Sequence, residues 1–140
     1  MSVSKIYSIQ DYYKSYLTSY FSQSVVNLDL PTDYEIEFTL FSNNSTINGN
    51  TGYMRFDSSS DGYVGKGSSN SRNIGIVSTF LPNPIPVSKD TTYIFKKENN
   101  VLSLTDGTDT ITESNSNYTK LYSINGSTGG QIKNIKITKL

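Results

Sequence analysis

The segment Leu30-Pro31-Thr32-Asp33-Tyr34-Glu35-Ile36-Glu37-Phe38-Thr39-Leu40 is the most informative stretch for the fold. From Tyr34 onward, apolar and polar side chains alternate strictly, which is the two-residue period of a strand with one buried and one wet face. This pattern predicts a buried face made of Tyr34, Ile36, Phe38 and Leu40. It predicts an exposed face made of Glu35, Glu37 and Thr39.

The residues on the N-terminal side of Pro31 show the same two-residue period. Val26, Leu28 and Leu30 alternate with polar residues, and the Pro31-Thr32-Asp33 turn separates them from the next strand. Two alternating runs joined by a short turn are typical of an antiparallel hairpin. We therefore expect these two strands to pair with each other.

Further strands are predicted along the rest of the chain by alternating runs between turn residues. They cover Gly52–Asp57, Gly62–Lys66, Asn73–Thr79, Thr91–Lys97, Val101–Thr105, Thr108–Thr112 and Gln131–Leu140. Glu98-Asn99-Asn100 is predicted to be a short hairpin loop. Three prolines make Leu81–Pro86 an extended connection or an edge strand, because proline cannot donate a hydrogen bond inside a sheet. A one-residue slip in the apolar pattern predicts a β-bulge at Asn134.

Composition limits the fold and the chemistry. The 140 residues include 12 basic and 12 acidic ones, so the net charge is zero, and Cys, His, Trp and Ala are absent. Val, Ile and Thr total 35 residues against four Glu, which favours strands over helices. We expect one all-β domain over residues 1–140, an antiparallel two-sheet sandwich. Neutrality argues against nucleic acid and membrane partners, and no cofactor or metal site is predicted.

The N-terminal segment, residues 1–22, has two interpretations. Tyr12, Tyr13, Tyr16 and Tyr20 recur at helical spacing, so a short helix over Gln10–Tyr20 is one of them. A strand that closes the sandwich is the other. The first residues do not lead into the apolar core of a signal peptide, which predicts a cytoplasmic or virion location.

Three segments resemble a known family. Leu30–Phe38, Thr92–Leu104 followed by Asp106-Gly107, and Gln131–Ile137 are similar to strands of concanavalin A-like lectin and laminin-G-type domains. The resemblance implies a jelly-roll sandwich that binds sugars or holds particle proteins together. The Ser-, Asn- and Tyr-rich composition also resembles tail or structural modules of viruses of bacteria and archaea. The acidic metal cluster of legume lectins and the catalytic carboxylate strand of glucanases are both missing.

Carboxylates offer little for catalysis. Glu35 and Glu37 share one strand face, at a separation that two glycosidase carboxylates could have. Their alternation with core residues instead indicates a solvated sheet face, so no catalytic residue is predicted. Asp57, Asp61, Asp106 and Asp109 could bind calcium, but Asp61-Gly62 and Asp106-Gly107 are also typical hairpin turns.

The polar stretch from Phe41 to Arg72 holds the candidate ligand-binding residues Tyr53, Tyr63 and Arg72. A tyrosine ring can stack on a sugar, and an arginine can donate hydrogen bonds to its hydroxyls or to an acidic substituent. Ordinary exposed loops with core aromatics are the competing interpretation.

The sequence predicts a non-enzymatic role. The favoured hypothesis is a binding or structural module of a virus-like particle that recognises surface carbohydrate. Its partners would be a polysaccharide or glycan, and other particle proteins or further copies of the chain. The alternatives are a small carbohydrate-active enzyme or its accessory domain, and a purely architectural subunit.

Overall fold

A computed structural model describes residues 13–16, 24–42, 52–58, 62–67, 73–77, 79–126 and 130–140. These ranges contain twelve strands and no helix. The strands are β1 (Tyr13–Tyr16), β2 (Ser24–Asp29), β3 (Tyr34–Ser42), β4 (Tyr53–Phe56), β5 (Tyr63–Gly67), β6 (Asn73–Ile76), β7 (Thr79–Pro84), β8 (Thr91–Glu98), β9 (Val101–Thr105), β10 (Thr110–Ser114), β11 (Lys120–Asn125) and β12 (Gly130–Lys139).

The strands form two antiparallel sheets that pack face to face. The first sheet, sheet A, has the order β1-β12-β3-β8-β9-β10, and sheet B has the order β2-β11-β4-β5-β6-β7. The chain crosses between the sheets several times. This arrangement confirms the predicted all-β, jelly-roll-like sandwich.

The predicted pairing of β2 with β3 is wrong. Strand β2 lies in sheet B beside β11, whereas β3 lies in sheet A between β12 and β8. Residues 31–33 therefore carry the chain from one sheet to the other instead of closing a hairpin. Alternation identifies a strand with one buried face, and either arrangement buries that face.

The core lies between the sheets and follows the predicted face of β3. Tyr34, Ile36, Phe38 and Leu40 are all fully buried. The polar face of β3 is less uniform than predicted, because Thr39 is only 7% exposed. Thr39 lies in the middle of sheet A between Lys133 and Thr92, and its hydroxyl is 3.1 Å from that of Thr92.

Four aromatic rings fill one end of the core. Phe56 of sheet B packs on Phe95 of sheet A at 5.4 Å and on Tyr118 at 5.0 Å between ring centroids. Tyr34 contacts Phe95 at 6.1 Å. Tyr118 belongs to the β10–β11 connection (the β10–β11 loop, residues 115–119), so this loop closes that end of the sandwich.

Of the two N-terminal alternatives, the strand is found where the segment is described. Tyr13–Tyr16 pairs with β12, from Tyr13 opposite Thr138 to Tyr16 opposite Ile135. A helix over Gln10–Tyr20 is therefore wrong at these four positions. The other residues of the 1–22 segment lie outside the described ranges.

Turn and edge predictions agree with the structure. The proline-rich β7 is an edge strand beside β6. The predicted hairpin loop Glu98-Asn99-Asn100 is one residue shorter, because Glu98 still pairs with Val101 at the end of β8. Asn99 and Asn100, with φ 54° and 58°, form a two-residue turn. In β12 the register shifts between Lys133 and Lys136, and Asn134 has φ 54°, which confirms the bulge. No helix among the described residues is long and apolar enough to span a membrane.

Candidate functional site

Strand β4 places the side chains of Tyr53 and Arg55 on the outer surface of sheet B. Met54 and Phe56 are fully buried, so the alternating Tyr53 and Arg55 side chains lie on the opposite face and are partly exposed. Tyr63 on β5 is the direct cross-strand neighbour of Arg55. We call Tyr53, Arg55 and Tyr63 the tyrosine–arginine cluster.

The cluster has a defined geometry. The Tyr53 and Tyr63 rings are 6.1 Å apart between centroids and inclined at 67°. The Arg55 guanidinium carbon is 5.6 Å from the Tyr53 centroid and 5.5 Å from the Tyr63 centroid. Both distances are within the range of a cation–π interaction, so the two rings hold the guanidinium at the surface.

Neighbouring strands restrain the tyrosines. The Tyr63 hydroxyl donates to the Val77 carbonyl oxygen at 3.2 Å. Gly65 follows on β5 with φ +115°, and a Cβ there would lie 3.1 Å from the Tyr53 Cα. Only glycine permits both that backbone conformation and this close approach of β5 to β4.

The structure brings together two of the three predicted ligand residues. Tyr53 and Tyr63 are adjacent, whereas Arg72 lies outside the described residues. Arg55 supplies the guanidinium that contacts both rings, and it was not predicted from the sequence. Its signal was the alternation of Tyr53-Met54-Arg55-Phe56, which puts Arg55 on the face of Tyr53.

A second feature is a cleft of ≈ 550 Å³ at the end of the sandwich that Tyr118 closes. Asp57 after β4, Gly62 before β5, Val77 after β6 and the β10–β11 loop surround it; we call it the rim cleft. Its lining is mostly polar and consists of Asp57, Gly62, Val77, Glu113, Asn115, Asn117, Tyr118, Thr119 and Lys120.

Asp57 holds the β10–β11 loop against sheet B. Its Oδ2 accepts the Tyr118 N–H at 2.8 Å, and its Oδ1 accepts the Thr119 N–H at 2.8 Å. Longer bonds come from the Thr119 hydroxyl at 3.2 Å and the Lys120 N–H at 3.3 Å. One carboxylate thus satisfies three successive backbone amides, a role that the sequence did not suggest.

Buried groups of sheet A hold the same loop from the other side. The Tyr34 hydroxyl donates to the Tyr118 carbonyl oxygen at 2.8 Å. Lys97 is 3% exposed, and its ammonium donates to the Ser116 carbonyl oxygen at 3.4 Å. Bonds from both sheets therefore set the course of the loop backbone.

Three residues that line the rim cleft have left-handed backbone conformations without being glycine. Their φ angles are 72° at Asp57, 50° at Val77 and 65° at Tyr118. A β-branched or bulky residue rarely adopts this region, which costs of the order of 1–3 kcal/mol. Such outliers cluster at ligand-binding and switch regions, so the rim cleft is a candidate site independent of its volume.

The Tyr118 hydroxyl is the buried polar atom at this cleft. It lies against Gly62, where an added Cβ would collide with it, and no hydrogen bond of acceptable geometry satisfies it within the described residues. Burial raises the pKa of Tyr118 well above its usual value, and the carboxylates of Glu113 and Asp57 raise the pKa further. The backbone amide of Tyr63 opposes this rise only in part. Tyr118 is therefore a neutral phenol at any ordinary pH.

The other carboxylates that the sequence pointed out have local partners. Glu37 lies 3.4 Å from Lys136 in an exposed ion pair on the outer face of sheet A. Asp106 Oδ1 accepts the N–H groups of Thr108 and Asp109, which is hairpin-turn geometry. Within the described ranges, no group of three or more His, Cys, Asp or Glu side chains could hold a metal ion. Asp61 lies outside those ranges.

No protein-family model, no curated protein and no solved structure matches this chain.

Proposed function

We propose that this chain is a non-enzymatic carbohydrate-binding module of a virus-like particle. The observation that carries the proposal is the guanidinium of Arg55 in contact with the rings of both Tyr53 and Tyr63 on the outer face of sheet B. The cluster thus places a fixed cation within 5.6 Å of the centroids of two aromatic rings.

These side chains suit a sugar ring chemically. A tyrosine ring presents an apolar face to the C–H groups of a pyranose, and a guanidinium donates up to five hydrogen bonds to hydroxyl or carboxylate oxygens. The cation–π contacts and the Tyr63–Val77 bond order the side chains before a ligand arrives. Preorganisation of this kind reduces the entropy that binding must overcome.

The particle context comes from the resemblance of the sequence to viral tail and structural modules. A particle with many copies also suits the small size of the cluster, because two rings and one guanidinium form a shallow site that binds weakly by itself. We expect a Kd of about 1 mM for one site, or about −4 kcal/mol. Many copies on one particle would raise the avidity by orders of magnitude.

Binding of polysaccharides to wild type and to Arg55→Ala tests the proposal. We expect wild type to bind at least one cell-wall polysaccharide and Arg55→Ala to bind it at least about tenfold more weakly, a loss of about 1.4 kcal/mol. Arg55→Lys should recover only part of the affinity, because lysine lacks the planar fork of donors. Arg72→Ala, measured in parallel, tests the remaining predicted ligand residue.

Lys96→Ala is the matched control, because Lys96 carries the same charge on sheet A and is also partly exposed. Its binding should equal that of wild type. Equal loss in Lys96→Ala and Arg55→Ala would indicate nonspecific attraction, and no binding of wild type to any glycan would contradict the proposal.

A further inference from the structure

We propose that the rim cleft is a second binding site, which takes a small neutral polyhydroxylated molecule such as one monosaccharide unit. The inference does not depend on the tyrosine–arginine cluster, because the two features use different side chains. They are nevertheless neighbours, since Tyr63 directly follows Gly62 and bonds Val77, and both of these line the cleft.

The size and the rigidity of the cleft support a ligand site. Its volume of ≈ 550 Å³ is within the usual ~300–1,000 Å³ of small-molecule pockets. Its walls are set before binding, because Asp57 fixes the backbone of Tyr118 and Thr119 while Tyr34 and Lys97 fix it from sheet A.

The lining selects the class of ligand. Glu113 offers a carboxylate, Lys120 an ammonium group, and Asn115 and Asn117 offer amides. Hydroxyl groups both donate and accept hydrogen bonds, so a polyol can use all of these groups together. An anion would meet the carboxylates of Glu113 and Asp57, which makes a neutral ligand the better match.

Two further features, one half-buried and one buried, complete the site. The Glu113 Oε1 accepts the Thr79 hydroxyl at 3.3 Å, which orients the carboxylate. The Tyr118 hydroxyl, 2% exposed as a residue and without an adequate partner, remains as a polar atom beside Gly62. Buried polar atoms are normally hydrogen-bonded, so this hydroxyl leaves the wall beside Gly62 with an unmet polar contact.

Amide-detected NMR titration of wild type with glucose, galactose, mannose and their N-acetyl derivatives tests this site. We expect at least one sugar to shift the backbone amides of residues 115–120 in a saturable manner, with a Kd in the millimolar range. Glu113→Gln and Asn117→Ala should each weaken that binding by about tenfold or more. The Asn117 backbone N–H, not its side chain, bonds Asn115 Oδ1, so Asn117→Ala keeps the turn.

Two controls separate this site from the tyrosine–arginine cluster. Arg55→Ala should leave the shifts at residues 115–120 unchanged, and so should Asn83→Ala, whose exposed amide contacts Asp109 elsewhere. If no sugar shifts the cleft amides, or if Glu113→Gln and Asn117→Ala bind as wild type does, the inference is wrong. If Arg55→Ala alone removes all binding, the cluster is the sugar site and the cleft is not.

Discussion

Asp57 shows how one side chain can organise a loop from the other sheet. The residue directly follows β4, has φ 72°, and points its carboxylate at three consecutive amides more than sixty positions further along the chain. Hydrogen bonds to a charged group contribute more to stability than neutral ones, about 1.5–3 kcal/mol each. The backbone strain at Asp57 is thereby offset by contacts that it alone makes.

Replacement of Asp57 should destabilise the protein, and by a different amount for asparagine and for alanine. Asparagine also tolerates the left-handed conformation, but Asp57→Asn replaces one of the two accepting oxygens with an NH₂ group that cannot accept a hydrogen bond. We expect this variant to lose about 1–2 kcal/mol of unfolding free energy. Asp57→Ala removes every acceptor and adds backbone strain, so the loss should reach about 3 kcal/mol. Urea denaturation measures both, and Asp29→Asn, an exposed carboxylate on β2, is the control. Equal stability of Asp57→Ala and wild type would show that the loop is held by other contacts.

Strand β3 demonstrates what a strict alternation can and cannot reveal. Its buried face was correctly predicted, and Phe38 stacks on Tyr93 at 5.7 Å between ring centroids within that face. The pairing partners of β3 were not predictable from the pattern, since β12 and β8 come from distant parts of the chain. Thr39 became buried for the same reason, because its neighbours across the sheet determine its exposure.

The two faces of β3 should respond very differently to truncation. Phe38→Ala removes a fully buried ring from the core and should cost about 3–5 kcal/mol of unfolding free energy. Glu37→Ala removes an exposed ion pair with Lys136 and should cost less than about 1 kcal/mol. Thermal and urea unfolding of both variants provide the measurement. Equally mild effects would mean that the face assignment is incorrect.

Strand β11 was missed for a physical reason. It pairs with both β2 and β4, but a bulge between Leu121 and Ser123 interrupts its alternation, and Ser123 and Asn125 are buried polar residues. Their side chains satisfy each other, since the Asn125 amide donates to the Ser123 hydroxyl at 3.0 Å. A strand with polar residues among its buried ones and with a shift in register has no clear two-residue signal.

The stability of the whole molecule should decline at alkaline pH. Burial raises the pKa values of Tyr34 and Tyr118 far above the ordinary 10.0, with smaller contributions from the charge of Asp57 and, at Tyr118, from that of Glu113 as well. The native state then keeps two protons that the unfolded state releases near pH 10. The contribution of these two tyrosines to stability is complete below that pH and is lost as pH rises toward the folded-state pKa values, by about 1.4 kcal/mol per pH unit for each fully affected tyrosine.

Two measurements check this alkaline loss. Melting temperature should fall progressively above about pH 10, and ultraviolet titration should show at least two tyrosines that ionise only as the chain unfolds. Tyr34→Phe should lessen the dependence on pH, because the native state of that variant retains one proton fewer. A flat melting temperature to pH 12, or free ionisation of all tyrosines in the native state, would contradict the burial of these hydroxyls.

Local sequence determined most of the strands, the buried face of β3, the hairpin between β8 and β9 and the bulge at Asn134, and it limited Leu81–Pro86 to an edge strand or an extended connection. Each depends on a residue's own conformational preference or on the period of its near neighbours. The same alternation would have placed Arg55 beside Tyr53.

Only the tertiary structure decided which strands pair, that β2 and β3 belong to different sheets, and that Asp57, Val77, Glu113 and Tyr118 meet at one cleft. These relations join residues tens of positions apart, and several strand pairings bury the same apolar faces. The choice among them depends on the packing of both sheets at once, which no local pattern encodes.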